Sequence, residues 1–147
     1  LTIVANCCSH INTPNEFKYI REHLSVLAAR LQSDDKKTIE HVCTIFSRLV
    51  ENFHRDATFL CEIVSTDLLK TFQTMIVVQP SLLNSVTFLS IIHLLYICSA
   101  SCPQLAVTLL KMNIAETLVC LLTGSAEGRS VVRKSITYKS AVLPNNG

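Results

Sequence analysis

Apolar residues recur along most of the chain at steps of three and four, the spacing that lines one face of an α-helix. The first clear case follows Thr13-Pro14-Asn15-Glu16. Phe17, Ile20, Leu24, Leu27 and Leu31 form one stripe, while Lys18, Arg21, Glu22 and Arg30 fall on the other side. Thr13 suits the N-cap, Pro14 the first helical position, and Glu16 can reach back to complete a capping box. Such a cap contributes about 1 kcal/mol. The spacing predicts one amphipathic helix running from Pro14 to Leu31. Residues 1–9 read as the last turns of a helix that begins before this chain.

Ser33-Asp34-Asp35 places carboxylates at the positive end of the next helix, whose apolar set is Ile39, Val42, Cys43, Phe46, Leu49, Val50 and Phe53. His54-Arg55-Asp56 interrupts it. A short helix from Ala57 to Val64 follows, and Ser65-Thr66-Asp67 caps a third that runs to about Val77. Gln79-Pro80-Ser81 ends this group, with Ser81 placed to cap a long helix from Leu82 to Ala100. Pro103 to Lys111 is then short, and Asn113 with Glu116 three residues on opens a last helix ending near Gly124.

The order long, short, medium therefore occurs twice, and the chain aligns on itself without a gap at a spacing of 46. Val42, Phe46, Leu49 and Val50 fall on Phe88, Ile92, Leu95 and Tyr96. Ile63, Leu68, Phe72 and Met75 fall on Leu109, Ile114, Leu118 and Leu121. A period in the forties with several helices per unit implies an all-α, armadillo-like (ARM/HEAT) α-solenoid, in which no unit buries its apolar face alone. About two and a half repeats are expected: a partial unit over 1–31, a unit over 33–78 and a unit over 81–123. Residues 124–147 lose the pattern and read as a flexible basic tail or an unrelated end.

Composition agrees with a packed domain. Of 147 residues, 49% are hydrophobic, and three Gly and four Pro leave little material for a sheet with many tight turns. Of the overall charge of +2, the tail holds +3, from Arg129, Arg133, Lys134 and Lys139 against Glu127, and residues 1–123 hold −1. Residues 1–123 thus carry no basic excess, and nucleic acid is not an expected partner of the folded part. Leu82 to Cys98 is at the short limit for a membrane span and carries Asn84, Ser85, Thr87, Ser90 and His93, so it reads as a buried helix and no membrane association is expected. The seven cysteines, an odd number at mostly apolar-periodic positions, read as reduced core residues of a nuclear or cytoplasmic protein.

Chemistry-bearing constellations are weak. Cys7-Cys8-Ser9-His10 and the pair Cys98 with Cys102 lack the second, properly spaced pair that zinc requires, so no metal is expected. Cys43 and His41 lie two apart on a helix and point to different faces. There is no glycine-rich phosphate loop, no acid–base carboxylate pair and no Ser-His-Asp arrangement, and no cofactor or catalytic residue is assigned. Asn6 and Asn52, 46 positions apart, are the one candidate groove: a side-chain amide can donate to and accept from a bound peptide backbone. Cys98, next in that register, cannot do so, which favours local capping or inter-repeat contacts for both asparagines.

Several blocks carry a family resemblance. Ala5-Asn6-Cys7-Cys8, Thr13-Pro14-Asn15-Glu16-Phe17, Asp35-Lys36-Lys37, Arg48-Leu49-Val50-Glu51-Asn52-Phe53 and Val77-Val78-Gln79-Pro80 belong to the set. So do Cys102-Pro103-Gln104-Leu105-Ala106-Val107 and Asn113-Ile114-Ala115-Glu116-Thr117-Leu118. Together they resemble the armadillo region of HECT-type E3 ubiquitin ligases of the ubiquitin-fusion-degradation, or thyroid-receptor-interacting, type. The resemblance implies a non-catalytic scaffold or substrate-binding segment acting in ubiquitination and proteasomal degradation. Its implied partners are ubiquitinated or degron-bearing proteins, ubiquitin and the rest of the parent ligase. The transferring cysteine of such enzymes lies in a domain outside these residues. A free-standing armadillo adaptor of the transport or adhesion kind is the alternative. The chain reads as a piece of a longer protein that exposes apolar surface at both ends.

Overall fold

A computed structural model describes residues 1–123; the expectations for residues 124–147 lie outside the described residues. Among the described residues there are nine α-helices and no strand: α1 (Thr2–Cys8), α2 (Pro14–Arg21), α3 (Leu24–Ala29), α4 (Lys36–Asn52), α5 (Ala57–Ile63), α6 (Thr66–Val78), α7 (Ser85–Ser101), α8 (Pro103–Lys111) and α9 (Ile114–Thr123). Short 3-10 turns, Arg30–Gln32 and Pro80–Leu82, precede α4 and α7.

Helix starts follow local side-chain chemistry. Thr13 Oγ1 accepts from the Glu16 N–H at 3.3 Å, and Glu16 Oε2 accepts from the Asn12 N–H at 3.1 Å, so the box closes one residue before the cap. Asp35 accepts from the N–H groups of Lys37 and Thr38, Asp56 from those of Thr58 and Phe59, and Ser65 from Leu68. Hydrogen bonding from the Thr38 hydroxyl, foremost, holds the Asp35 carboxyl below its ordinary pKa. Cys102 is extended ahead of Pro103, as the ring requires, and α8 starts there.

Two expectations need correction. The single helix over 14–31 is two helices, broken at Glu22-His23, although Phe17, Ile20, Leu24, Leu27 and Leu31 are all buried. A bend toward the core leaves an inward stripe inward, so periodicity runs through it unmarked. Ser81 does not cap the long helix: it lies within the Pro80–Leu82 turn, and Asn84 Oδ1 caps α7 by accepting from the Thr87 N–H at 2.7 Å. Asn113 turns the chain at φ 58, a left-handed conformation that asparagine tolerates, just past the end of α8.

The long helices α4 and α7 pack side by side, with α1 on the far side of α4. Val42, Ile45, Phe46 and Leu49 of α4 and Ile91, Leu94, Leu95 and Cys98 of α7 are buried in matching order. In the long helices the structural equivalence is therefore 49 positions, as the starts at Lys36 and Ser85 show, whereas Ala57 and Pro103 start the short ones 46 apart. Three residues are close to one helical turn of about 3.6, so the 46-residue alignment still paired apolar faces.

Side-chain hydrogen bonds between distant parts of the sequence join positions 39 to 45 apart, as in Thr2–His41, Arg48–Ala5, Gln73–Thr117 and Cys102–Ala57. Each group of helices is thus bound to its sequence neighbour. Phe17, Phe53 and Phe59 form an aromatic cluster where α2, the end of α4 and α5 meet, with ring centroids 5.0 to 5.3 Å apart.

Candidate binding surface

The two asparagines singled out by register have different surroundings. Asn6 is exposed on α1. Asn52, half-buried at the C-terminal end of α4, donates through Nδ2 to the carbonyls of Cys8 at 3.0 Å and Ile11 at 2.9 Å, with Ser9 at 3.5 Å. A helix leaves its last four carbonyls without intrahelical partners; Asn52 takes up that of Cys8, the last residue of α1, and that of Ile11 just beyond it. Arg48, one turn earlier on α4, donates to the Ala5 carbonyl. By the 49-residue equivalence, the position matching Asn52 is Ser101, while Cys98 matches Leu49 and is fully buried.

The exposed sides of the long helices are unlike one another. On α4, Lys37 stands 4.0 Å from Glu40, and Glu40 accepts from the Asn84 amide at 3.3 Å. On α7, Val86, Leu89, His93 and Tyr96 follow at steps of three and four and are exposed, Leu89 and Tyr96 each to 65%. His93 is thus a surface residue, stacked against Tyr96 with centroids 6.4 Å apart. A second apolar surface opens beside α7: a cleft of about 410 Å³ lined by Ile92, Leu95, Tyr96, Leu109, Leu110 and Leu118. The structurally equivalent positions in the preceding helices, Cys43 and Phe46 on α4 for Ile92 and Leu95, and Ile63 and Val64 at the end of α5 for Leu109 and Leu110, are buried.

Elsewhere the polar features are structural. The Arg21–Glu62 ion pair, 2.5 Å, lines a 330 Å³ cleft between α2–α3 and α5–α6, and the Arg21 guanidinium lies 5.1 Å above the Phe17 ring. Gln73 is buried and donates to the Met112 carbonyl at 2.8 Å and to Thr117 Oγ1 at 3.1 Å, tying α6 to the turn between α8 and α9. Neither contact was legible in the sequence, because nothing local marks a residue whose partner lies a layer away.

All seven cysteines are free, and four of them, Cys8, Cys43, Cys98 and Cys102, are buried. Desolvation, the main cause in each case, pushes the Cys43 and Cys98 thiols up to about 12 and the Cys8 thiol to about 11. Among the described residues no three His, Cys, Asp or Glu side chains converge as metal ligands. No single helix there is long and apolar enough to cross a membrane; α8 and α9 pass together only as a pair bent by 65°.

With no metal-binding cluster among the described residues, relatedness is the guide to function. The chain is 42% identical over 128 residues to E3 ubiquitin-protein ligase TRIP12 of Danio rerio. It is homologous to a segment of a TRIP12-type E3 ubiquitin-protein ligase. The match takes in 87% of the chain and 6% of TRIP12. No protein-family model matches the chain, and no solved structure matches it. The segment shared with TRIP12 is long enough to include most of the layers described above.

Proposed function

We propose that the chain is a non-catalytic, protein-binding platform of a HECT-type E3 ubiquitin ligase, acting in ubiquitination and proteasomal degradation. The carrying observation is the 42% identity to TRIP12 across 87% of the chain. In this reading the fold is an armadillo-like stack with a partial unit over 1–31 and units over 33–78 and 81–123. The succession of long, short and medium helices and the ties between positions 39 to 45 apart support it. The partners are ubiquitin-bearing or degron-bearing substrates and the rest of the ligase, with neither nucleic acid nor membrane contacted by the folded part. The exposed Val86, Leu89, His93 and Tyr96 stripe offers aromatic and aliphatic anchors for a protein partner. The cleft beside α7 seats a further helical layer of the ligase, since the aligned positions of the preceding unit are buried. Seven unpaired thiols suit a reducing nuclear or cytoplasmic setting.

The test deletes the homologous segment from full-length zebrafish TRIP12 and follows two reactions: ubiquitin thioester formation, and ubiquitination of a linear ubiquitin–reporter fusion. The thioester is expected to persist and reporter modification to fall. Unchanged reporter modification, or a ubiquitin thioester on the isolated 147-residue chain, overturns the reading.

A further inference from the structure

Cys61 and Cys102 belong to successive short-helix layers, Cys61 on α5 and Cys102 at the start of α8, and their sulfurs lie 3.2 Å apart. The Cys61 thiol donates to Gln104 Oε1 at 3.0 Å, and Cys102 Sγ lies 3.8 Å from the Ala57 carbonyl, so both sulfurs are held in place from more than one side. Cys61 is partly exposed, whereas Cys102 is buried at 1%. One sulfur can therefore meet a dissolved oxidant while the other waits behind it.

We propose that Cys61 and Cys102 form a two-electron oxidation site, at which a peroxide drives a disulfide between adjacent helical layers. The Cys61 thiolate attacks one peroxide oxygen, the O–O bond breaks, and Cys61 becomes a sulfenic acid while water leaves, from hydrogen peroxide, or an alcohol, from an organic peroxide. Cys102 sulfur then attacks Cys61 Sγ. The S–S bond forms, the S–O bond breaks, and the hydroxide leaves as water with the Cys102 proton. Two thiols have lost two electrons to the peroxide, and a small-molecule thiol reverses the step by exchange. A disulfide bond is about 2.0 Å long, so the sulfurs need approach by only about 1 Å. Because the residues sit in neighbouring layers, the bond pins α5 to α8 and fixes the spacing between them.

The rate is set by ionisation. Desolvation, then the hydrogen bond with Cys102, raise the Cys61 thiol to about 11. Thiolate is the reactive form, so oxidation is slow at neutral pH and accelerates about tenfold per pH unit below that value. Cys98, one turn before Cys102 on α7, is the competing partner and is fully buried.

The experiment treats the 147-residue chain with hydrogen peroxide, in buffer and in concentrated urea, blocks residual thiols, and maps disulfides by mass spectrometry without reduction. The expected product in buffer is a species lighter by two hydrogens, with Cys61 and Cys102 joined as the dominant pair and a higher Tm. Urea should abolish that selectivity, and Cys61→Ser should abolish the species while leaving the helical circular dichroism of the reduced chain unchanged. The same disulfide distribution in buffer and in urea, a dominant Cys98–Cys102 pair, or stepwise overoxidation of Cys61 without cross-linking overturns the proposal.

Discussion

Asn52 separates a structural role from a ligand-binding one, because the two roles respond differently to the same substitutions. In the structure its Nδ2 donates to two carbonyls at 3.0 and 2.9 Å, both near the end of α1. A neutral intramolecular hydrogen bond contributes about 0.5–1.5 kcal/mol, so Asn52→Ala should lose about 1–3 kcal/mol. At that size Tm should fall by roughly 3–12 °C, with the end of α1 detaching first. Asn52→Asp keeps the shape but replaces the donating nitrogen with an acceptor that faces the Cys8 and Ile11 carbonyls. It should therefore be at least as destabilising as the alanine variant. Thermal and urea unfolding of both variants beside the parent chain is the assay, with Asn6→Ala as the exposed control, expected to stay within about 0.5 kcal/mol. Had Asn52 evolved to grip a peptide, its removal would spare stability and reduce only binding. An alanine variant with unchanged Tm, or an aspartate variant as stable as the parent, refutes the capping assignment.

Other perturbations test the core and its thiols. Phe17→Ala removes the centre of the Phe53–Phe59 cluster from a fully buried site and should cost about 3–5 kcal/mol by urea unfolding, a large part of a domain's usual margin. Gln73→Leu keeps much of the volume but deprives the Met112 carbonyl and Thr117 of their donor, and should cost about 1–3 kcal/mol; amide exchange should quicken around Met112. In reductant, stability should be insensitive to the buried thiols below pH 9 and fall above it. Cys43 and Cys98 ionise near 9.0 when unfolded but only at about 12 when folded, so the unfolded state alone sheds protons in that window. The fall should be about 1.4 kcal/mol per pH unit for each such thiol, and Cys43→Ala should flatten it.

Helix presence and start were largely legible in the chain because the forces that set them are local. Thr13, Asp35 and Ser65 cap through bonds to amides two or three residues on, and Pro103 opens α8 by fixing its own backbone. The inward stripes were legible for the same reason: Val42, Phe46 and Leu49 share one face of α4 whatever lies opposite. Relatedness to the ligases was also written in ordered blocks along the sequence. Packing decided the rest. The break at Glu22-His23 has no capping side chain to announce it, and the start of α7 at Ser85 depends on a turn at Pro80–Leu82 that moves the long helix by nearly one turn without turning its apolar face outward. Asn52 became a cap for α1, Gln73 a clasp on α8 and α9, and Cys61 a neighbour of Cys102 only once the layers were stacked. In each case the partner lies 39 to 44 residues away in sequence, beyond the reach of local spacing, and layer geometry alone makes the two meet.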